Sequence, residues 1–484
     1  MLFFRRVPQF RGYVDVASNN TIGGWVYDRS SPRSRLKVEI FSAGNLMGSA
    51  RADLLRSDLK QARIGDGCYG FTFGARGSEV LDETLAVKIK GTEFWLPNST
   101  SRDFLGGIEI DLINSPQRGL PPLRAGMSQH VAGPNDVEIA RELIDCWARV
   151  SGDGRKVGAP FDYGAMWRGI VRDRHSALET LLRGSNPVAL ASYLVDLQKL
   201  PEGTGILQGE LAHLDFLDAT PEGRRAAVAP FHDMLASLAQ YLGIKRVDCS
   251  EQNYVGEAIA CDSQKLAMQI EQFLGHKIAP PPVFDGLFGL MLRERILHGR
   301  DIQALYAALR AISNSGKKEP EICEIGAGVG QAAYYAWTRG VRRYTIVDLP
   351  SVCAMQYFYL RKAIPGATVR FRGPGDAPMR ADGIDLISVP ILNAGAQIAA
   401  DIILNCDSFP EMGDSICRSY FSKIAEWAPL LLSINQEGNQ IVNRSGARQS
   451  VVADLLPEYG FERAYRFRSW VRRGFVEELW RRQS

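Results

Sequence analysis

The stretch Glu321–Pro350, EICEIGAGVGQAAYYAWTRGVRRYTIVDLP, constrains the fold more than any other part of the chain. Ile322, Cys323 and Ile325 form an apolar run that predicts a strand buried on both faces of a parallel sheet. Gly326, Gly328 and Gly330 follow, where the chain can turn tightly and a ligand can approach without meeting a Cβ. A helix is predicted from near Val329, with its free N–H groups at the turn. A second strand, Tyr344 to Val347, ends at Asp348, 22 residues after Gly326. These parts meet in one crevice, where a carboxylate at the strand end can accept the hydroxyl protons of a ribose.

The glycine spacing narrows the ligand. A dinucleotide turn of the form GxGxxG needs glycine where this chain has Gln331, so the pyrophosphate reading weakens. Glu324 adds a carboxylate just before the turn, which repels a pyrophosphate and suits a cationic ligand with a free amino acid end. That combination points to S-adenosylmethionine, with Glu324, Gly326, Gly328, Gly330 and Asp348 as the expected cofactor-binding residues.

With 484 residues the chain exceeds one ordinary core, and a prior of about 150 residues per domain suggests about three domains. Its 57 basic and 54 acidic side chains nearly balance, so charge gives no reason to expect a nucleic-acid partner. The apolar start before Arg5 is too short for a signal peptide, and no later run matches a membrane span, so a cytoplasmic location is expected. Eight cysteines lack any C-x-x-C pair and read as reduced core residues, and no metal site is expected.

The expected architecture is a multidomain α/β chain in three stretches. Residues 1–105 read as a small all-β domain of short strands such as GYVDV and LKVEIFSAG, with Arg51 to Gln61 as a short helix or turn. Residues 106–315 read as a mainly helical cap on the substrate side, with helices such as Pro187 to Lys199, Pro221 to Leu242 and Ser263 to Leu274. Residues 316–484 read as a Rossmann-like sheet that binds the cofactor. In that last stretch Ile384 to Leu392 and Asp401 to Asn405 are expected strands, and Ala367 to Gly383 an inserted loop despite the strand character of Thr368 to Phe371. Glu462 to Trp470 and Phe475 to Trp480 suit a closing antiparallel hairpin, which also accounts for the basic and aromatic residues alternating there.

Two resemblances add to this reading. Gly24-Trp25 with Asp28, Ala52-Asp53-Leu54 with Arg56, Asp58 and Leu59, and Gly70-Phe71 resemble a small domain carried beside bacterial glycosyltransferases and other polysaccharide-assembly enzymes. Trp25, Phe71 and Trp95 read there as core aromatics or, less simply, as a sugar platform. The C-terminal stretch, through Glu324, Gly326, Gly328, Gly330, Asp348, Leu349 and Pro350, then Asn405, Asp407, Ser408, Phe409, Glu411 and Met412, and finally Asn435-Gln436, resembles a bacterial sugar O-methyltransferase family with the class I methyltransferase fold. The resemblance implies that the first set, Leu349 included, holds S-adenosylmethionine. It implies that Asn405, Ser408, Asn435 and Gln436 face a sugar or glycoconjugate acceptor, and that glycan-assembly proteins are possible partners of the N-terminal domain.

Methyl transfer to a hydroxyl needs in-line placement of the oxygen and removal of its proton. No histidine follows His298, so Glu411 and Asp407 are the expected catalytic carboxylates. Glu411 reads equally as a helix N-terminal carboxylate, and His298 or His276 as a base reaching in from the cap. A metal-assisted version would draw on Asn405, Asp407 and Asp376. The alternatives to a sugar O-methyltransferase are an enzyme for another small molecule and a non-catalytic interaction protein of glycan assembly.

Overall fold

The computed structural model describes residues 10–18, 21–42, 45–61, 64–74, 86–92, 94–96, 121–152, 167, 170–171, 174–248, 256–377, 381–437 and 449–483. The chain divides into two compact units, Met1–Ser115 and Pro116–Ser484.

The first unit holds two four-stranded antiparallel sheets. One has the order β1 (Phe10–Ser18), β2 (Thr21–Asp28), β6 (Cys68–Gly74), β5 (Leu54–Leu55). The other runs β4 (Asn45–Arg51), β3 (Lys37–Ser42), β7 (Ala86–Ile89), β8 (Trp95–Leu96). Period-2 alternation sends Val38 and Ile40 inward to a core with Val14, Ile22, Val26 and Phe71. Arg51 to Gln61 resolves into β5 and a one-turn helix, Ser57–Gln61, which buries Leu59 while Leu54 and Leu55 stay exposed. Trp25 packs with Leu59 and Tyr69, and Phe71 lies in the main core, so both aromatics are buried packing residues. Trp95 is half-buried, with its ring 5.3 Å from that of Phe41.

In the second unit the dominant element is an eight-stranded sheet, ordered β14 (Val369–Phe371), β15 (Gly383–Ser388), β13 (Arg343–Asp348), β12 (Glu321–Ile325), β16 (Ile402–Cys406), β17 (Leu430–Gln436), β19 (Phe475–Arg482), β18 (Phe461–Arg468). The first six strands are parallel, and the expected C-terminal hairpin closes the sheet antiparallel to β17. The continuous apolar runs of the central strands follow from cover on both faces: every residue of β15 is buried. The chain lays β13, the edge strand β14 and then the intervening β15 on one side of β12 and resumes at β16 on the other, so the direction switches between β12 and β16.

Three expectations need correction. Ala367 to Gly383 is not all loop, because Val369–Phe371 forms the edge strand β14, with Val369 and Phe371 buried and Arg370 paired to Asp385 at 2.8 Å. Ile384 to Leu392 is not one strand: β15 ends at Ser388, and Pro390, which cannot donate to a ladder, sits in the first turn of a short helix, Val389–Asn393. The middle stretch is not helices alone. Its helices include Pro134–Gly152, Pro221–Tyr241, Ser263–Leu274 and Gly299–Ser315, but a three-stranded sheet joins β9 (Ala125–Met127), β10 (Phe288–Leu292) and β11 (Arg295–Leu297). The FGLML run of β10 is too short for its apolar pattern to tell strand from helix, and its partner β9 lies far back in the chain.

These helices and the large sheet share one apolar core, from Ile139 to Trp480. Gly299–Ser315 packs against the helix Gln331–Thr338 and against β16, while Pro134–Gly152 packs on the helix Pro350–Ala363. Arg361 clamps Glu142 through both carboxylate oxygens at 2.7–3.1 Å, which pins the latter pair. No helix among the described residues is long and apolar enough to cross a membrane.

Candidate functional site

A cavity opens at the carboxyl ends of β12, β13, β16 and β17, at the place where the strand order reverses. Its lining includes eight of the residues singled out from the sequence: Glu324, Gly326, Gly328, Asp348, Leu349, Asp407, Ser408 and Glu411.

The glycine loop is shaped by what crowds it. Gly326 has φ of 71°, and a Cβ there would lie 2.3 Å from Ser408 Oγ. Gly328 has φ of 56°, and its Cβ would come within 2.8 Å of the Ile206 carbonyl. A side chain at either position would therefore be strained in its backbone and would displace a neighbouring segment. Gly330 caps the helix from behind, against Leu360, and does not line the cavity.

Two carboxyls stand beside the loop. Glu324 is 3% exposed and accepts a hydrogen bond of 2.8 Å from the Tyr344 phenol. Burial pushes its pKa up to about 8, against the pull of that phenol and with help from the nearby Asp348. Asp348 accepts from the N–H groups of Ala327 at 3.0 Å and Leu349 at 2.8 Å, and from Gln356 at 2.7 Å. Burial outweighs these donors and raises it to about 6. The three bonds orient the carboxylate and leave it a place in the cavity lining.

Glu411 also faces the cavity, from the short helix Ser408–Met412, and accepts a 3.1 Å hydrogen bond from Trp167 Nε1. Burial first, and the charge of Asp407 second, raise its pKa to about 7. Asp407 behaves differently. One of its oxygens, Oδ2, accepts from both Arg300 and Arg472, so its lone pairs are committed to two guanidiniums. Its backbone is in the left-handed region, φ of 70°, one of two such non-glycine residues among those described. That conformation costs about 1–3 kcal/mol and persists where the surroundings impose it.

The remaining expected residues lie elsewhere. Asn405 and Asn435 are 0% and 4% exposed and do not line the cavity. Asn405 donates to the Ile325 carbonyl at 2.9 Å and to Ser408 Oγ at 2.5 Å, and Asn435 donates to Asn405 Oδ1 at 2.9 Å. Ser408 Oγ in turn donates to the Ile325 carbonyl at 2.9 Å. These polar groups tie the ends of β12, β16 and β17 together behind the loop. Gln436 ends β17 outside the lining.

His298 caps the helix Gly299–Ser315, its Nδ1 accepting from Arg300 N at 3.1 Å; burial holds it neutral, at about 3. His276 bonds the adjacent Lys277 carbonyl. Neither histidine lines the cavity. Asp376 caps a turn through the Gly373 N–H at 2.8 Å and is also outside it.

Sequence reasoning missed Trp167, Arg300, Ser469 and Arg472, all in the lining. It also missed the role of Gln331, whose amide donates to the fully buried Asp301 and so joins the cap helix to the glycine-loop helix. The departure from glycine at Gln331 was the signal for that tie.

No family model matches this chain. No curated protein matches it. Among solved structures, a magnesium protoporphyrin IX methyltransferase from Synechocystis PCC 6803 with bound S-adenosylmethionine is 13% identical, with a TM-score of 0.28, over 38% of this chain and 80% of that one. A ribosomal protein L11 methylase from Lactobacillus delbrueckii subsp. bulgaricus is 14% identical, with a TM-score of 0.26, over 38% and 80%. An O-methyltransferase family protein from Burkholderia thailandensis is 12% identical, with a TM-score of 0.28, over 38% and 60%. At such identities and scores, the ligand of this cavity has to be argued from its own residues.

Proposed function

We propose that the chain is an S-adenosylmethionine-dependent O-methyltransferase whose acceptor is a hydroxyl of a sugar or glycoconjugate. The observation that supports this most is that Glu324 and Asp348 open onto the same cavity as Glu411, beside a glycine loop where added side chains would collide.

The residues fit the cofactor chemically. Glu324 and Asp348 are carboxyls that burial drives toward the neutral form, so both gain from a cation or a hydroxyl donor. Asp348 would accept from the ribose hydroxyls, Glu324 would favour the cationic amino acid end, and Leu349 would pack on the apolar part. Bound S-adenosylmethionine supplies a methyl group already activated by its sulfonium.

The protein's part is then to hold the acceptor in line, exclude water and take a proton. Glu411, near pH 7 in its affinity for protons and anchored by Trp167, suits the base. Asp407, committed to two guanidiniums, suits an orienting role. Asn405, Ser408 and Asn435 would act by fixing the strand ends that carry these groups. The sugar assignment rests on the family resemblance of the NCDSFPEM segment.

Calorimetric titration with S-adenosylmethionine, followed by a methyl-transfer screen across sugars, tests the reading. Micromolar binding and transfer to a sugar hydroxyl are expected. A chain that binds no cofactor would be a non-catalytic interaction protein instead.

A further inference from the structure

Arg300 and Arg472 stand at the cavity for a reason that Asp407 alone does not explain. Each guanidinium carries roughly five N–H donors. Among the described residues each makes one side-chain hydrogen bond, and both converge on the same oxygen of Asp407. The remaining donors are left for solvent or ligand.

Both arginines also sit where local energetics resist them. Arg300 is in the first turn of the helix Gly299–Ser315, where the dipole disfavours a cation. Arg472 is largely desolvated, with its guanidinium 3.6 Å from the Phe475 ring centroid, and burial lowers its pKa. Positions that break a local rule are expected at functional or strained sites. Beside them Ser469 lines the cavity, 8% exposed, with a hydroxyl that has no hydrogen-bond partner among the described residues. A buried hydroxyl left unpaired is costly unless a ligand completes it.

The pair lies beside Glu411: both guanidiniums bond Asp407, which caps the start of the short helix Ser408–Met412 that carries Glu411. We infer that the acceptor is an anion, a sugar bearing a carboxylate or phosphate near the methylated hydroxyl, whose oxyanion is held by Arg300 and Arg472 with Ser469 donating a further bond. Such an anion placed between two guanidiniums would fix the distance from its neighbouring hydroxyl to Glu411, so charge recognition and in-line placement would be the same act. This rests on the methyltransferase reading above.

The test is calorimetry on the full chain saturated with S-adenosylhomocysteine, using glucuronate, galacturonate and glucose 1-phosphate against glucose and galactose. At least one acidic probe should bind tenfold or more tighter than its neutral parent. In Arg300→Gln and Arg472→Gln that preference should fall at least tenfold, Arg472→Lys should keep part of it, and S-adenosylhomocysteine affinity should hold in all three. The carboxylate and phosphate probes separate the two sources of the oxyanion. Neutral sugars binding as tightly, or a preference that survives both glutamines, would overturn the inference. So would a fall in S-adenosylhomocysteine affinity with the preference intact, which would give the pair to the carboxylate of the cofactor. Failure of the wild-type chain to bind S-adenosylhomocysteine breaks the methyltransferase reading itself, and is seen in the first titration before any sugar is added.

Discussion

The cavity has two groups of functional side chains built on different plans. Glu324, Gly326, Gly328 and Asp348 come from one stretch, Glu321–Pro350, where adjacent parallel strands put their carboxyl ends side by side. Trp167, Arg300, Asp407, Glu411 and Arg472 are brought together across long separations, 244 residues between Trp167 and Glu411 and 107 between Arg300 and Asp407. The first group is acidic and pushed toward neutrality by burial. The second carries two guanidiniums around one committed carboxylate. Local strand–turn–helix geometry suffices to build the acidic glycine-loop side of the cavity, while the arginine side has to be assembled by the tertiary fold.

Substitutions should separate the two groups. The largest effect is expected at Asp348→Ala, which removes the proposed acceptor for both ribose hydroxyls: cofactor affinity should fall about 100-fold or more, at roughly 1.5–3 kcal/mol per charged hydrogen bond. Unchanged affinity in calorimetry, with a native circular dichroism spectrum, would break the ribose assignment.

Glu411→Gln should leave cofactor affinity within a few-fold but lower kcat by about 100-fold, within the range of a general base. The wild-type rate should rise with pH up to the Glu411 pKa of about 7 and then level, because the base works ionised and is lost as pH falls. A pH profile of the same shape in the variant would remove Glu411 from that role.

Glu324→Gln should cost about tenfold in cofactor affinity at pH 8, by loss of one buried charge pair. In the wild type a cationic ligand favours the ionised form, so binding should release a proton and tighten as pH rises toward about 8. The sign for stability is the reverse. The free folded protein keeps a proton on Glu324 that the unfolded chain loses above its ordinary value of 4.5, so unliganded stability should fall between pH 4.5 and about 8. Thermal melts of the Gln variant should lose that part of the slope, and identical slopes would sink the assignment.

The smallest effect is expected at Gln331→Ala, which strips the buried Asp301 of its amide donor. The cost should be about 1–3 kcal/mol, a drop of a few degrees in Tm with kcat little changed. A change in cofactor affinity larger than in Tm would show that the tie serves the site and not the fold.

Much of this was legible beforehand wherever the signal was local. Ile322 to Asp348 fixed strand, turn, helix and strand, the helix Ser263–Leu274 appears where its pattern predicted, and the strand Ile402–Cys406 lies within a residue of the expected Asp401 to Asn405. Errors fell where short apolar runs depend on distant partners. Val369–Phe371 is a strand because β15 pairs with it, and Phe288–Leu292 lies between the adjacent Arg295–Leu297 and the distant Ala125–Met127. For Asn405 and Asn435, no pattern in the chain could say whether an amide at a strand end points to ligand or to its neighbours. The packed structure turns both away from the cavity, Asn405 donating to the Ile325 carbonyl and Asn435 to Asn405 Oδ1.

The sequence by itself determined the cradle, because a glycine turn between two buried strands, with acids at Glu324 and Asp348, is specified by residues within one supersecondary unit. Only the tertiary structure decided the other group: that Asp407 is held by Arg300 and Arg472, that Glu411 is anchored by Trp167 and left free of those arginines' hydrogen bonds, and that Ser469 keeps an unpaired hydroxyl. The physical reason is that hydrogen bonding and desolvation depend on what lies within a few ångströms. For residues so far apart along the chain, the packing of helices on the sheet decides what those neighbours are.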